Sequence, residues 1–355
     1  MSAEPIVASL LPDTAEITAN DVLIGGVSLR GLAGSYGTPL FVYDEETLRS
    51  RCREAAGAFD DGVAFASKSF LCGAMARLAF EEGLCIDVAT GGELDLVLRS
   101  GVPAGRIIMH GNNKSAEELE RAIAVGVHRL VVDNFEEIAL LSTLVNASAP
   151  LDCLVRVTPG VEAHTHEFVR TGQEDTKFGF SVAAGDARKA IDELRAIPGL
   201  TLHGVHAHIG SQVFELIGFV ESLTILAKFI ADDDFDELCV GGGLGVAYVA
   251  GESAPSIHEW GDAIRVAANE VGLDSNVRLV GKHCESGDVL IDEAWLPAST
   301  GVRSIIATPV TGAYGYSMAS NYNRVPRPAV LFVRDGVARE VLRRETFDDM
   351  ARLEV

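Results

Sequence analysis

Apolar residues along the chain fall into short β-branched runs separated by stretches of helical period, which is how a parallel sheet with crossover helices is written in sequence. Seven runs read as strands: "VAFASK" from Val63, "LCIDVAT" from Leu84, "RIIMHG" from Arg106, "RLVVDN" from Arg129, "LDCLVRV" from Leu151, "LHGVHAHIG" from Leu202 and "DELCVGG" from Asp236. Amphipathic segments lie between them. "SAEELERAIAVG" opens on Ser115 with Glu118 three positions on, a capping-box spacing, and closes on Gly126. "SIHEWGDAIRVAANEVG", from Ser256, predicts another helix with a terminal glycine. Eight strand-helix units close a (β/α) barrel with its reactive groups at the C-terminal strand ends. On pattern alone, "NVRLVGKH" from Asn276 is the eighth strand.

Past about residue 284 the rhythm changes. "DVLIDEAWLP", "VRSIIATPV" and "RPAVLFVRDGVAREVLRRETF" read as strands joined by turns with no long helix, which predicts a second, all-β domain. The early "DVLIGGVSLRGLAGSYGTPLFVYD" also reads as strand and turn, and its expected place is beside those C-terminal strands. The expected division is a segment 1–44 pairing with the β domain, a barrel over 45–276, and the C-terminal β domain over 277–355.

Composition narrows the function classes. With 355 residues, 48% hydrophobic and 23% charged, the chain reads as a globular protein with a sizeable core. A formal charge of −22 repels phosphate backbones and anionic lipid, so neither nucleic acid nor membrane is an expected partner. Six cysteines form no C-x-x-C pair and no dense cluster with histidine. That argues against a metal site and a disulfide scaffold, and for a reducing, cytoplasmic compartment. The first residues lack a basic leader followed by an apolar stretch, and the longest apolar segment, "LIGFVESLTILAKFIA", is broken by Glu221 and Lys228.

The strand ends are unusually polar. Lys68, one of six lysines, closes the first run; Asp87 closes the second, with Glu93 in the following turn. His110 and Asn112 follow the third run, Arg156 lies on the fifth, His206 and His208 on the sixth, and "GGGLG" follows the seventh. Each taken alone has a structural explanation, such as a snorkelling lysine, a hydrogen-bonded histidine or a tight glycine turn. One barrel rim would collect them all. There a partly desolvated Lys68 becomes a better nucleophile, suited to a Schiff base, and the glycines let backbone N–H groups approach a phosphate. A lysine for an aldehyde and a cradle for a phosphate are the two needs of pyridoxal phosphate. Cys284 in "GKHCESGD" could donate a proton or could be a plain buried thiol, and Tyr314 in "TGAY" could reach a phosphate or belong to the core.

Together these motifs resemble the fold-type III pyridoxal-phosphate decarboxylases. The likeness runs in family order through "GTPLFVYDEETLRSR", "FASKSFLC", "DVATGGEL", "HGNNKS", "RVTPGVEAHTHEFVRTGQEDTKFGF", "HAHIGSQV", "GGGLG", "GKHCESGD", "TGAYGYSMASNYN" and "RPAVLFVRDG". The segments "HTHEFVRTG" and "CESGD" resemble its diaminopimelate branch rather than its ornithine or arginine branch. The resemblance implies decarboxylation of meso-diaminopimelate to L-lysine in lysine biosynthesis, with pyridoxal 5'-phosphate carried on Lys68. By the same likeness His208 stacks on the cofactor ring, and Ser211, Gly241, Gly242, Gly243 and Tyr314 hold its phosphate. Asp87, Glu93 and Arg156 form a supporting polar shell, and Cys284 returns a proton to the substrate carbon. Glu285 and Tyr314 meet the substrate, and the "CESGD" segment enters a partner's site, implying a homodimer.

The chain also departs from that pattern. Several dozen residues expected between "VGLDSN" and "VRLVGKHCESGD" are missing, among them a Glu-Pro-Gly-Arg strand end and a later glycine-rich segment with a substrate-binding arginine and tyrosine. On this comparison the eighth strand is absent and "VRLVGKH" belongs to the β domain. The lost glutamate would have kept the pyridine nitrogen protonated, so a weaker electron sink is expected. The alternatives are an inactive or cofactor-binding-only relative, and a decarboxylase of another basic amino acid.

Overall fold

The computed structural model describes residues 10–59, 62–148, 150–161, 178–247, 252–271, 279–280, 307–320 and 326–351. The chain divides into two compact units, one of Cys52–Val246 and Ser253–Cys284, the other of Met1–Arg51, Ala247–Glu252 and Glu285–Val355.

In the larger unit, every one of the seven expected runs forms a strand: β1 (Val63–Ala66), β2 (Cys85–Val88), β3 (Ile107–Met109), β4 (Arg129–Val132), β5 (Leu151–Thr158), β6 (Leu200–His206) and β7 (Glu237–Cys239). All neighbouring pairs are parallel, in the order β7-β6-β5-β4-β3-β2-β1, and the short strand Phe180–Ser181 adds to β5 outside this path. Between them run α1 (Gly73–Glu81), α2 (Gly91–Arg99), α3 (Ala116–Val125), α4 (Phe135–Leu144), α5 (Asp186–Arg195) and α6 (Ile217–Phe229), followed by α7 (Ile257–Glu270). The sheet is that of a TIM-like (β/α) barrel.

The eighth place is a correction to the family-based expectation. Leu279–Val280, here β8, pairs in parallel with Val63 and Ala64 of β1. Leu279 and Val280 therefore lie beside β1, where periodicity puts their run, and not in the β domain. Among the described residues β7 and β8 share no ladder.

Local chemistry explains the helix boundaries. Ser115 and Glu118 form the reciprocal capping box at the start of α3, and Ser256 with Glu259 does the same for α7. The expected glycine stop of α7 is not what ends it: Val271 is the C-cap residue, and Gly272 lies outside the described residues. The sheet core is small and apolar. A buried cluster takes Ala64, Cys85, Ile108, Val131, Leu154 and Cys239, one residue from each of six strands. Strands buried on both sides read as near-continuous apolar runs, which is why β2 and β3 lack alternation.

In the smaller unit, Leu40–Asp44 pairs in parallel with Ala329–Arg334, which forms a hairpin with Val337–Leu342. Asp335 and Gly336 make its turn, both with positive φ, as an Asp-Gly hairpin turn requires. Residues 29–36, expected as strand and turn, form a helix, Leu29–Tyr36, capped by Ser28. Its Leu32 packs with Ile24, Leu331 and Val333, so an apolar patch over the sheet outweighs the low helix propensity of its two glycines. The expected strands "DVLIDEAWLP" and most of "VRSIIATPV" lie outside the described residues.

β6 carries a register shift between Leu202 and Gly204 against β5. A methyl group on Gly204 would be driven into the carbonyl of Glu237 on β7. Gly204→Ala is therefore expected to cost about 1–3 kcal/mol or more, seen as a drop in Tm. Gly34→Ala, inside the helix Leu29–Tyr36 with open space around it, is expected to leave Tm unchanged or raise it.

Candidate active site

Because the strands are parallel, their C-terminal ends share one rim. Lys68 sits in the 3₁₀ turn Ser67–Ser69 directly after β1, half-buried. Asp87 on β2, His110 after β3, Asp133 after β4, Arg156 on β5, His206 ending β6, and His208 and Ser211 just beyond it are all buried. Gly241, Gly242 and Gly243 follow β7.

Beneath that rim, charges are paired rather than isolated. Arg156 Nη1 donates to Asp133 Oδ2 at 3.2 Å, while the other carboxylate oxygen of Asp133 accepts the Gly179 N–H at 3.0 Å. Burial lowers the Arg156 pKa, opposed by the negative charges of Asp133 and Asp87. Its guanidinium also covers the Phe178 ring at 4.5 Å. Lys114 has a fully buried side chain. It pairs with Glu137 of α4 at 2.9 Å and donates to the carbonyls of Gly111 at 2.5 Å and Val131 at 2.9 Å. Burial pushes the Glu137 carboxyl up, and Lys114 pulls it back. Glu137 Oε2 in turn accepts the Asp133 N–H at 3.1 Å. This chain of bonds fixes the loops after β3 and β4 that carry His110 and Asp133.

The glycine run has a structural cause. Gly241 and Gly243 have φ of +75° and +98°, and a side chain on either would collide with the backbone at Ala207 and Gly210 respectively. The ends of β6 and β7 are thereby held together, continued by the Ala207 N–H to Cys239 at 2.8 Å and the Val213 N–H to Gly243 at 2.9 Å. Gly242 N–H then donates to His208 Nδ1 at 3.3 Å. That bond makes Nδ1 the acceptor, so a neutral His208 carries its proton on Nε2.

Of the expected site residues, the larger unit brings Lys68, Asp87, Arg156, His208, Ser211 and the three glycines to one rim. Glu93 has a second task there: its carboxylate accepts the Ala89 N–H at 2.7 Å and closes the turn into α2, whose N-cap is Thr90. Tyr314 lies in the smaller unit with a φ of +66°. In its segment, Gly312 lies under the Tyr43 ring and accepts the Tyr43 hydroxyl, and Tyr316 packs edge-on against Phe41 at 5.8 Å. Cys284 and Glu285 lie outside the described residues. Sequence reading missed Asp133 and the Lys114–Glu137 pair. Their signal was present in "RLVVDN" and "HGNNKS", a carboxylate and a lysine hard against apolar strands, but burial alone distinguishes them from surface charges.

The set fits pyridoxal phosphate. A lysine at the rim stands with a backbone-oriented neutral imidazole, a glycine turn and buried polar atoms with no hydrogen-bond partner among the described residues, namely Ser67 Oγ, His110 Nε2 and His206 Nδ1.

Residues 45–290 match the pyridoxal binding domain of the pyridoxal-dependent decarboxylases. The chain is 39% identical to the diaminopimelate decarboxylase of Mycobacterium tuberculosis, over 94% of this chain and 95% of that one. It is 38% identical to the Bacillus subtilis diaminopimelate decarboxylase, over 94% of each. The first of these matches spans 423 positions, more than the 355 residues available, so the relative carries positions with no counterpart here. Among solved structures, the diaminopimelate decarboxylase of M. jannaschii superposes with a TM-score of 0.83 at 25% identity, covering 97% of this chain and 98% of that one, and the same protein has been seen in complex with L-lysine.

Burial is the main cause holding His110 and His206 well below the ordinary imidazole value of 6.5; His206, Lys68, Arg156 and Lys114 add to it at His110, and Arg156 and Lys68 at His206. A base depressed in the folded state binds fewer protons than in the unfolded chain, so stability is lost as pH falls below 6.5. The expected loss is about 2 kcal/mol for the two rings over the first pH unit. Denaturant unfolding of the parent against a His110→Asn, His206→Asn double variant reads it: the acid-side slope should flatten in the variant.

Proposed function

The chain belongs to the pyridoxal-dependent decarboxylases, and from that premise we propose that it decarboxylates meso-diaminopimelate to L-lysine with pyridoxal 5'-phosphate held on Lys68. The observation that carries this reading is the gathering of Lys68, Asp87, Arg156, His208, Ser211 and the glycine turn on one parallel-strand rim. Relatives matched across 94% of the chain, and named diaminopimelate decarboxylases, support the choice of substrate.

When bound, the cofactor supplies the electron sink for the carbon that loses its carboxylate. The chain supplies the rest. Lys68 offers the amine that anchors the aldehyde. His208, oriented by the Gly242 N–H, offers a flat face for the ring. Ser211, the 241–243 turn and Tyr314 hold the phosphate, while Asp87, Glu93 and Arg156 form the polar surround. Cys284 returns a proton to the substrate carbon and Glu285 reads the distal end of the substrate, from a partner subunit in a homodimer. A cytoplasmic setting agrees with the cysteine spacing of the sequence, which gives no disulfide framework. No described helix is long and apolar enough to cross a membrane.

The unmatched positions of the relatives favour a second reading, in which cofactor binds without turnover. By the family likeness the missing stretch includes the Glu-Pro-Gly-Arg strand end. A rim without that glutamate lacks the anion that stabilises a protonated pyridine nitrogen.

Purified protein with pyridoxal phosphate is expected to show a visible absorption band that Lys68→Ala abolishes, and carbon dioxide release from meso-diaminopimelate in preference to ornithine, arginine or lysine. Cys284→Ala should keep the band and slow product formation. A band without release selects the second reading, and a parent without a band ends both.

A further inference from the structure

Two rim side chains have no task in the reading above. His110 and His206 meet edge to face with ring centroids 4.9 Å apart. They are 7% and 3% exposed, and His110 Nε2 and His206 Nδ1 are buried with no hydrogen-bond partner among the described residues. Asp87 Oδ1 lies 3.7 Å from His110 Nε2, beyond hydrogen-bond reach. Folded proteins rarely leave such atoms unpaired, and two adjacent ones in a rim whose neighbours are bonded mark a place that a ligand atom completes.

The surrounding charge says what kind of atom. Lys68, Arg156 and Lys114 act on His110, and Lys68 and Arg156 act on His206, all disfavouring a proton on the rings. Of the acids nearby among the described residues, Asp133 is paired with Arg156 and Glu137 with Lys114, and Asp87 faces His110. A positive field around two neutral imidazoles suits an anionic oxygen that accepts a hydrogen bond from an imidazole N–H.

We propose that His110 and His206 together bind the ring oxygen of pyridoxal phosphate, the hydroxyl adjacent to the aldehyde, and hold it as the oxyanion. The inference rests on the reading of Lys68 as the cofactor lysine. In the cofactor that oxygen is ortho to the carbon a lysine captures, so its donor must stand beside the lysine, and both rings lie close enough to Lys68 to feel its charge. His208 is not the donor through Nδ1, which already accepts from Gly242.

The test titrates cofactor-free, full-length protein with pyridoxal 5'-phosphate in the absence of amino acid, following the visible band and the dissociation constant. His206→Phe keeps a ring against His110 and removes both nitrogens; His206→Asn returns a polar atom near the Nδ1 position; His110→Phe and His110→Gln do the same for Nε2. Each Phe variant is expected to bind about tenfold more weakly and to move the band toward the shorter wavelength of the un-ionised hydroxyl, with Asn or Gln recovering much of both. Should a Phe variant fail to fold by thermal unfolding, the Leu variant at the same position, which also removes both ring nitrogens, decides, since loss of a purely structural histidine would leave the band unmoved. Parental band and affinity in a folded Phe or Leu variant overturn the proposal. So does a change confined, in a separate turnover assay, to the Michaelis constant for diaminopimelate, which would assign the pair to the substrate. A parent that takes up no cofactor at Lys68 defeats the functional reading itself, and this proposal with it.

Discussion

Parallel backbone pairing from β7 round to β8 is the constraint on which the rest depends. Each inner strand needs both neighbours for its N–H and C=O groups, and parallel pairing obliges every connection to cross back by a helix. All strand ends of one polarity then meet on one side. Residues separated by more than a hundred positions, such as Lys68 and His206, come into electrostatic reach for that reason. The rim is a by-product of how the sheet satisfies its own hydrogen bonds.

Holding polar groups on that rim requires a second layer of bonding below it. Lys114 and Glu137 are buried and opposite in charge, and each also bonds backbone: Lys114 to Gly111 and Val131, Glu137 to Asp133. Burial makes either charge costly alone and makes their pairing an orienting device for the loops above. Arg156 is steadied the same way by Asp133, leaving its positive field directed at the histidines. The glycine turn after β7 adds a steric counterpart, since only glycine at 241 and 243 lets the two strand ends close on each other and present the Gly242 N–H to His208.

How much of this was legible depended on the kind of force involved. The seven strands were readable because fully buried parallel strands must be apolar on both faces, and α3 and α7 because their caps are spelled in adjacent residues. Leu29–Tyr36 was not readable as a helix: its local propensity is poor, and its reason to exist is Leu32 packing on Ile24, Leu331 and Val333. The eighth strand shows two lines of sequence reasoning in conflict. Periodicity put the run from Asn276 in the barrel and family likeness moved it out; the pairing of Leu279 and Val280 with Val63 and Ala64 agrees with periodicity.

By itself the sequence determined the alternation of strand and helix, the place of Lys68 at a strand end, and a motif order that identifies the family, because these reside in neighbouring residues and their spacing. Only the tertiary structure decided that Asp133, Lys114 and Glu137 are buried supports rather than surface charges. It alone showed that Glu93 closes its own turn, and that His110 and His206 face one another, with His110 Nε2 and His206 Nδ1 unpaired among the described residues. Those outcomes turn on distances between side chains remote along the chain and on the loss of water around them, and no local pattern of residues encodes either.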